Sequence, residues 1–227
     1  MDLMRLILGL EENETRKSNF MMALKSARLH TGRNVDTGIA SSMEEMELKL
    51  LENKEIQRKQ LLNSELFTGL TMYLILLEQI GSMFKRTGLE TIKGYEKGIK
   101  YSLCMFSTFK IEENKDKIDA INCLRNNLAH NFGLASDSKG KEGKYKNNKY
   151  KFTLSFSNNA PIVKLPVEKW NCKYNDKSDE SSTVIGIYAF CNEVEQTVKE
   201  LIKIYHTGNL EFRLSEEEIK SRFTIIV

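Results

Sequence analysis

The sequence has little proline, little cysteine and little net charge. Both prolines, Pro161 and Pro166, fall in one short stretch, so the rest of the 227 residues is free to be helical. The four cysteines form no C-x-x-C pair and have no nearby histidine partners, so we expect buried or incidental thiols rather than a zinc site. The formal net charge of +3 is too small to indicate a class of partner.

Long uninterrupted hydrophobic segments are also missing. The apolar stretch 1–10 is interrupted by Glu11 and Glu12, and it is typical of neither a signal peptide nor a membrane span. Residues 62–84 are the most hydrophobic part, but Glu65 and Glu78 interrupt them. This pattern indicates a central bundle helix. We therefore expect a cytoplasmic protein with no membrane association.

Apolar residues recur at helical spacing through most of the chain. Their share of 41%, with 29% charged residues, is ordinary for a soluble globular protein. The spacing predicts one or two helices in residues 1–30 and others starting near Ser41 and covering 62–84, 88–109, the residues before Gly133, and 184–205. We predict a single mainly α domain over residues 1–227, arranged as an up-and-down helical bundle.

Residues 136–180 depart from the helical pattern, and we predict that they form a basic loop and a β-hairpin inserted before the last long helix. Residues 150–156 alternate between polar and apolar, which is typical of a strand. Residues 158–161 have turn chemistry, so 162–165 can return as the second strand. Two strands alone are marginally stable, so the hairpin should pack on the helices.

Residues 124–133, Leu-Arg-Asn-Asn-Leu-Ala-His-Asn-Phe-Gly, place an arginine and a histidine in the last turns of a predicted helix. One apolar stripe precedes them: Ile118, Ile121, Leu124 and Leu128. Arg125 lies at the edge of this stripe, and His130 lies about 140° further round, so the two heads cannot meet on one straight helix. In the last turn a protonated His130 gains from the helix dipole, so we expect an easily protonated side chain.

The pattern Arg125-Asn126-x-x-x-His130 resembles the R-x4-6-H signature of the HEPN superfamily. Members of that superfamily are small helical domains, and many are metal-independent ribonucleases that work as dimers. The resemblance implies that His130 transfers protons, that Arg125 holds the phosphate and that Asn126 orients them by hydrogen bonding. Asn127 and Asn131 are weaker candidates. It also implies a homodimer in which two Arg/His pairs line one cleft.

The chemistry of RNA cleavage fits these residue types. Without a metal, the reaction needs a proton taken from the 2′-hydroxyl, a proton given to the leaving 5′-oxygen and charge compensation at the phosphate. A histidine that titrates near neutrality can transfer a proton, and an arginine fork can bind two phosphate oxygens. The sequence has no clustered His/Asp/Glu set, so no metal or cofactor is expected. The resemblance to the HEPN superfamily further implies a toxin or antiviral defence effector that cuts RNA, with a possible antitoxin or nucleotidyltransferase partner.

A lysine-rich segment follows the motif. Residues 136–151 contain six lysines, with Tyr145 and Tyr150 between them. Lysines could hold an RNA backbone while tyrosines stack on bases. The candidate RNA contacts are Lys139, Lys141, Lys144, Tyr145, Lys146 and Lys149. A plain solvated loop is the alternative interpretation.

Two alternatives to catalysis remain open. In the first, Arg125 only pairs with a helix carboxylate such as Glu78, and His130 only caps its helix. Glu78 lies with Thr71 and Ser82 opposite the apolar stripe of its own helix, where it faces either the site or solvent. In the second, the chain is an inactive HEPN-like module that binds nucleic acid, a nucleotide or a protein partner.

Overall fold

The structure is a computed structural model that describes residues 2–11, 16–40, 55–131, 133–136, 149–175 and 178–226. Within these ranges the side chains of residues 55–63, 130, 131, 136, 225 and 226 are not described. The described helices are α1 (Leu3–Ile7), α2 (Asn19–His30), α3 (Glu55–Met83), α4 (Gly98–Met105), α5 (Ile111–Asn131), α6 (Ile187–His206) and α7 (Glu216–Phe223). The described strands are β1 (Arg16–Ser18), β2 (Phe84–Arg86), β3 (Ala135–Ser136), β4 (Tyr150–Ser155), β5 (Val163–Lys164), β6 (Thr183–Gly186), β7 (Leu210–Phe212) and β8 (Thr224–Ile226).

Helix α3 is the centre of the protein, as its apolar stripe predicts. It packs against α2, α4, α5 and α6. Leu66, Leu70, Leu77 and Ile80 recur on one face and are buried. Among the described helices, only the Ser64–Met83 part of α3 is long and apolar enough to cross a membrane, and 56% of the tested stretch is buried inside the protein. Since about half of the chain is helical, the prediction of a mainly α protein is confirmed.

The helix predicted over 88–109 is wrong in its first half. Residues 88–97 are not helical, and α4 begins only at Gly98. Gly88 and Gly94 have φ angles of 76° and 88°, in the left-handed region that ends helices. Apolar spacing alone does not reveal these two backbone breaks. Helix α5 begins at Ile111, so the charged residues 112–117 form its first turns.

The predicted β-hairpin is also wrong, although both of its strands form. Strands β4 and β5 do not pair with each other, because β6 lies between them in a four-stranded sheet of order β3-β4-β6-β5. Strand β6 runs parallel to β4 and antiparallel to β5. Its sequence, Thr-Val-Ile-Gly, is mostly buried, and such a continuous apolar run lacks the alternation that marks a half-exposed strand. We therefore predicted the start of the last long helix at Val184, whereas α6 begins at Ile187.

The sheet packs against the helices, as expected for an insertion of few strands. Phe152 of β4, Val163 of β5 and Ile185 of β6 belong to the same hydrophobic core as the helices. The last described elements are α7 and β8, and β8 pairs antiparallel with β1.

A buried ion pair joins α2 to α6. Arg28 donates from Nε and Nη2 to the two carboxylate oxygens of Glu195, at 2.9 and 2.8 Å. The Tyr73 hydroxyl of α3 donates to Glu195 Oε1 at 2.6 Å. Arg28 Nη1 donates to the carbonyl oxygens of Val35 and Asp36, so the loop after α2 is held by the same guanidinium. Burial, the charge of Glu195 and its hydrogen bond all raise the pKa of Tyr73, so the phenol stays protonated.

Candidate functional site

Helix α5 places Arg125 against α3, at the edge of the buried stripe. The Arg125 side chain is 24% exposed, and its Nε lies 3.9 Å from Glu78 Oε2. That distance gives an ionic contact but no hydrogen bond. Arg125 Nη1 donates to Asn126 Oδ1 at 3.0 Å, while the buried Nε has no hydrogen-bond acceptor among the described residues. The guanidinium is thus held by one amide and one nearby carboxylate.

Glu78 is itself fixed by the start of α4. Its Oε2 accepts a hydrogen bond from the Ile99 amide at 3.1 Å, and the cap residue Lys97 supplies no side-chain cap. Gly98 has φ 65°, and a Cβ there would lie 2.7 Å from Glu78 Oε1. A carboxylate at a helix N-terminus also satisfies the helix dipole. Glu78 therefore bridges α4 and α5.

The residues of the predicted polar strip on α3, Thr71, Glu78 and Ser82, do not all face the motif. Glu78 contacts Arg125, as expected if this strip orients the motif, and it is only 26% exposed. Thr71 instead donates to the Phe67 carbonyl of its own helix at 3.0 Å. The contact with Glu78 also agrees with the alternative in which Arg125 has a structural ion pair, so the geometry alone is compatible with both interpretations.

Asn126 lines a cleft of about 530 Å³ that is open to solvent. One wall is a polar stripe of α5, and the opposite wall is the segment from Lys93 to Lys100. The stripe consists of residues at helical spacing: Lys115, Asp119, Asn122 and Asn126. Glu78 closes the cleft at the end nearest Arg125. The cleft therefore adjoins the Arg/Asn part of the motif.

The segment 93–100 is anchored by Tyr95, which is buried despite its position in a loop. Its hydroxyl donates to Asp119 Oδ1 at 3.3 Å, and Lys100 forms an ion pair with the same carboxylate. The Lys100 ammonium lies 5.0 Å from the centre of the Tyr95 ring. Burial and the neighbouring Asp119 raise the Tyr95 pKa, so the phenol remains a donor. The wall is thus pre-formed.

The backbone of His130 lies in the last turn of α5, one turn beyond Asn126 and one residue before the helix ends. The side chains of His130 and Asn131 lie outside the described part, so the expectation that the imidazole and the guanidinium do not meet on one helix stays a prediction. Asn127 is buried, and its Nδ2 has no hydrogen-bond acceptor among the described residues. Asn127 is absent from the residues that line the cleft, whereas Asn126 is among them.

Most of the predicted RNA-contacting residues, namely Lys139, Lys141, Lys144, Tyr145 and Lys146, lie outside the described residues. Lys149 is exposed immediately before β4. Tyr150 does not provide the free stacking face that we expected. Its ring packs on Phe152 with centroids 5.6 Å apart, and it is half-buried. Burial, helped by nearby acidic groups, raises the Tyr150 pKa to about 12.

The remaining reactive side chains do not extend the site. Cys123, Cys172 and Cys191 are buried, which agrees with the prediction of buried thiols. Burial raises the pKa of the half-buried Cys104 to about 12, so its thiol stays protonated at neutral pH. His30 ends α2 and the exposed His206 ends α6. In the described ranges no three His, Cys, Asp or Glu side chains are grouped to hold a metal ion.

The sequence analysis missed the cleft wall formed by residues 93–100. We interpreted this segment as part of a helix, because Leu89, Ile92 and Ile99 have helical spacing. The available signal was composition: Lys-Gly-Tyr-Glu-Lys-Gly-Ile-Lys alternates lysine with glycine, which is typical of a loop. Comparison of the chain with protein-family models, curated proteins and solved structures gives no match. The function is therefore inferred from the site geometry and from the motif.

Proposed function

We propose that this protein is a metal-independent endoribonuclease of HEPN type that works as a homodimer. The observation that carries the proposal is the juxtaposition on α5: Arg125 donates a hydrogen bond to Asn126 beside a lysine-lined cleft, and the same helix continues one turn to His130. A phosphate-binding cation, an orienting amide and a titratable ring therefore share one helix end.

The roles follow from the chemistry of each group. The Arg125 fork stabilises negative charge on the phosphate oxygens, and Asn126 fixes the orientation of that fork. His130 transfers the proton of the 2′-hydroxyl or of the leaving oxygen. One chain provides a single such histidine, whereas a two-fold dimer would bring two Arg125/His130 pairs to one cleft. Lys139, Lys141, Lys144, Tyr145, Lys146 and Lys149 are proposed as RNA contacts outside this centre.

The resemblance extends the proposal to a cellular role. HEPN ribonucleases include toxins and antiviral defence effectors that stop translation by cutting RNA. We place this protein in that class, in the cytoplasm, with an antitoxin or a nucleotidyltransferase as the kind of partner that would control it. The burial of α3 supports a protein that is not embedded in a membrane.

The purified protein should cleave single-stranded RNA in excess EDTA and leave 2′,3′-cyclic phosphate and 5′-hydroxyl ends. These products are expected because the 2′-hydroxyl is the nucleophile when no metal-bound water is used. Mass spectrometry of the fragments identifies both ends. A substrate of the same sequence with 2′-deoxy sugars is the control and should stay intact. Cleavage that requires a divalent cation, or no cleavage by the dimer, would contradict the proposal.

The alternative function is a non-catalytic helical module. The observation that favours it is the contact between Arg125 and Glu78, because a guanidinium held by a structural carboxylate needs no substrate. This module would be a folded dimer that cleaves nothing and binds its partner equally well after Arg125→Ala. Toxicity on expression, relieved by Arg125→Ala or His130→Ala, separates the two functions.

Glu78→Gln should lower the cleavage rate by about 10-fold, because a misplaced guanidinium weakens binding of the transition state. Glutamine keeps an acceptor for the Ile99 amide but removes the charge that faces Arg125. The pair is partly exposed, so the free energy of unfolding should fall by no more than about 1 kcal/mol. Glu78→Ala also removes the cap of α4 and should cost about 1 kcal/mol more. Single-turnover rates and urea titrations measure both effects; a wild-type rate for Glu78→Gln would remove Glu78 from the site.

A further inference from the structure

The cleft beside Asn126 is lined by four lysines and three carboxylates, so lysines are in excess among its described lining residues. Lys93, Lys97 and Lys115 line it and form no ion pair within the described ranges. Two of the three carboxylates face cations, and the third accepts a backbone hydrogen bond and keeps its negative charge. Asp119 pairs with Lys100, Glu78 faces Arg125 and the Ile99 amide, and the Gly94 amide donates to Glu96 Oε1 at 2.7 Å. The cleft is therefore suited to an anionic ligand.

The uncharged groups of the cleft are amides. Asn122 and Asn126 are half-buried on α5, one turn apart, and each carries two donors and an acceptor. The Asn126 Oδ1 already accepts from Arg125, which leaves its NH₂ group for a ligand. Amides beside lysines can recognise a polar heterocycle or a sugar attached to a phosphate. The volume of about 530 Å³ falls within the roughly 300–1,000 Å³ of small-ligand sites.

The direction of the cleft favours a polymer over a free nucleotide. The stripe from Lys115 to Asn126 covers 11 helical steps, about 16 Å at the rise of an α-helix. It begins beside Arg125 and runs away from it along α5, so a ligand that occupies it would continue from the motif. The opposite wall is held in place by the contacts of Tyr95 with Asp119 and Lys100.

We infer that this cleft binds the part of a single-stranded RNA that flanks the scissile phosphate. Lys93, Lys97 and Lys115 contact its backbone phosphates, while Asn122 and Asn126 hydrogen-bond to base or ribose groups. This inference rests on the proposed function, because the ribonuclease proposal identifies the bound polymer as the RNA substrate. Phosphate contacts would then come from the lysines of the cleft as well as from the lysine-rich segment 136–151.

The test compares the full-length protein with a triple variant, Lys93→Gln, Lys97→Gln and Lys115→Gln. The probe is a fluorescein-labelled 2′-O-methyl RNA of ten nucleotides, which cannot be cleaved through its 2′-oxygen, and binding is followed by anisotropy from 50 to 300 mM NaCl. The dissociation constant at 50 mM should rise about 10-fold or more, and the slope of log K against log salt should fall by about 2, since each lost phosphate contact contributes about 0.7. Circular dichroism verifies that the variant is folded.

A matched control carries Lys17→Gln, Lys164→Gln and Lys199→Gln, which are three exposed lysines that do not line the cleft. This control has the same net charge as the triple variant and should retain most of the wild-type slope. Equal slopes for the two variants would overturn the inference. AMP is the second probe: if the triple variant loses the AMP binding of the wild-type protein but binds the RNA equally well, the inference is overturned and the cleft is a free-nucleotide site. Because the probe is not cleaved, absence of ribonuclease activity would refute the proposed function without changing this binding result.

Discussion

His130→Ala should reduce the rate of EDTA-resistant RNA cleavage by about 10²- to 10⁴-fold, the usual contribution of a positioned proton-transfer group. The expectation follows from the motif, because His130 lies in the last turn of α5, one turn beyond Asn126. A guanidinium is suited to binding phosphate oxygens rather than to exchanging protons, so Arg125 should not take over proton transfer. Single-turnover cleavage of a labelled RNA at neutral pH, with protein in excess, measures the effect on the chemical step.

His206→Ala is the matched control. His206 also lies at the end of a long helix, but it is exposed on α6 and does not line the cleft. Both variants remove one imidazole from a last helical turn, so they should lose similar amounts of stability. Only His130→Ala should lose activity and relieve toxicity on expression. A similar cleavage rate in both variants would show that any ribonuclease activity resides elsewhere.

The elements that could be predicted from the sequence are those with strong local periodicity. The stripe on α3 predicts a buried central helix because its apolar residues recur about one helical turn apart in the sequence. The four-stranded sheet could not be predicted in this way. Strand β6 is inserted between β4 and β5, and the partners in such pairs are set by non-local packing that spacing does not encode. A run of β-branched residues directly before a helix was therefore interpreted as that helix.

The candidate site shows the same limit. The position of Arg125 at the edge of a stripe could be predicted because it follows from one helical wheel, whereas its contact with Glu78 of another helix was only one of two alternatives. The cleft could not be predicted, since its walls come from residues 93–100 and from α5, and they meet where Tyr95 and Lys100 contact Asp119. Left-handed glycines in that loop also broke the helix that its apolar residues suggest. The buried Arg28–Glu195 pair was missed because its members are 167 residues apart.

Glu195→Ala should lower the free energy of unfolding by about 3–5 kcal/mol, because it leaves the buried Arg28 without its partner. The two side chains are only 7% and 5% exposed, so water cannot replace the lost carboxylate. The Tyr73 hydroxyl loses its acceptor at the same time. At about 2–4 °C per kcal/mol for a chain of this size, the melting temperature should fall by about 10 °C. Urea titration and thermal denaturation of the full chain measure both quantities.

Glu200→Ala on the same helix separates this effect from the loss of any α6 carboxylate. Glu200 pairs with Lys203 at 3.4 Å, but the lysine side chain is 73% exposed, so its removal should cost less than about 1 kcal/mol. The free energy of unfolding of Glu195→Gln should lie between those of the two alanine variants. The amide can still accept a hydrogen bond from Tyr73 but cannot neutralise the charge of Arg28. Equal losses for Glu195→Ala and Glu200→Ala would mean that the buried pair contributes no more than a surface pair. In that case the loop after α2 would be held by the carbonyl contacts of Arg28, and Arg28→Ala would remain the more destabilising change.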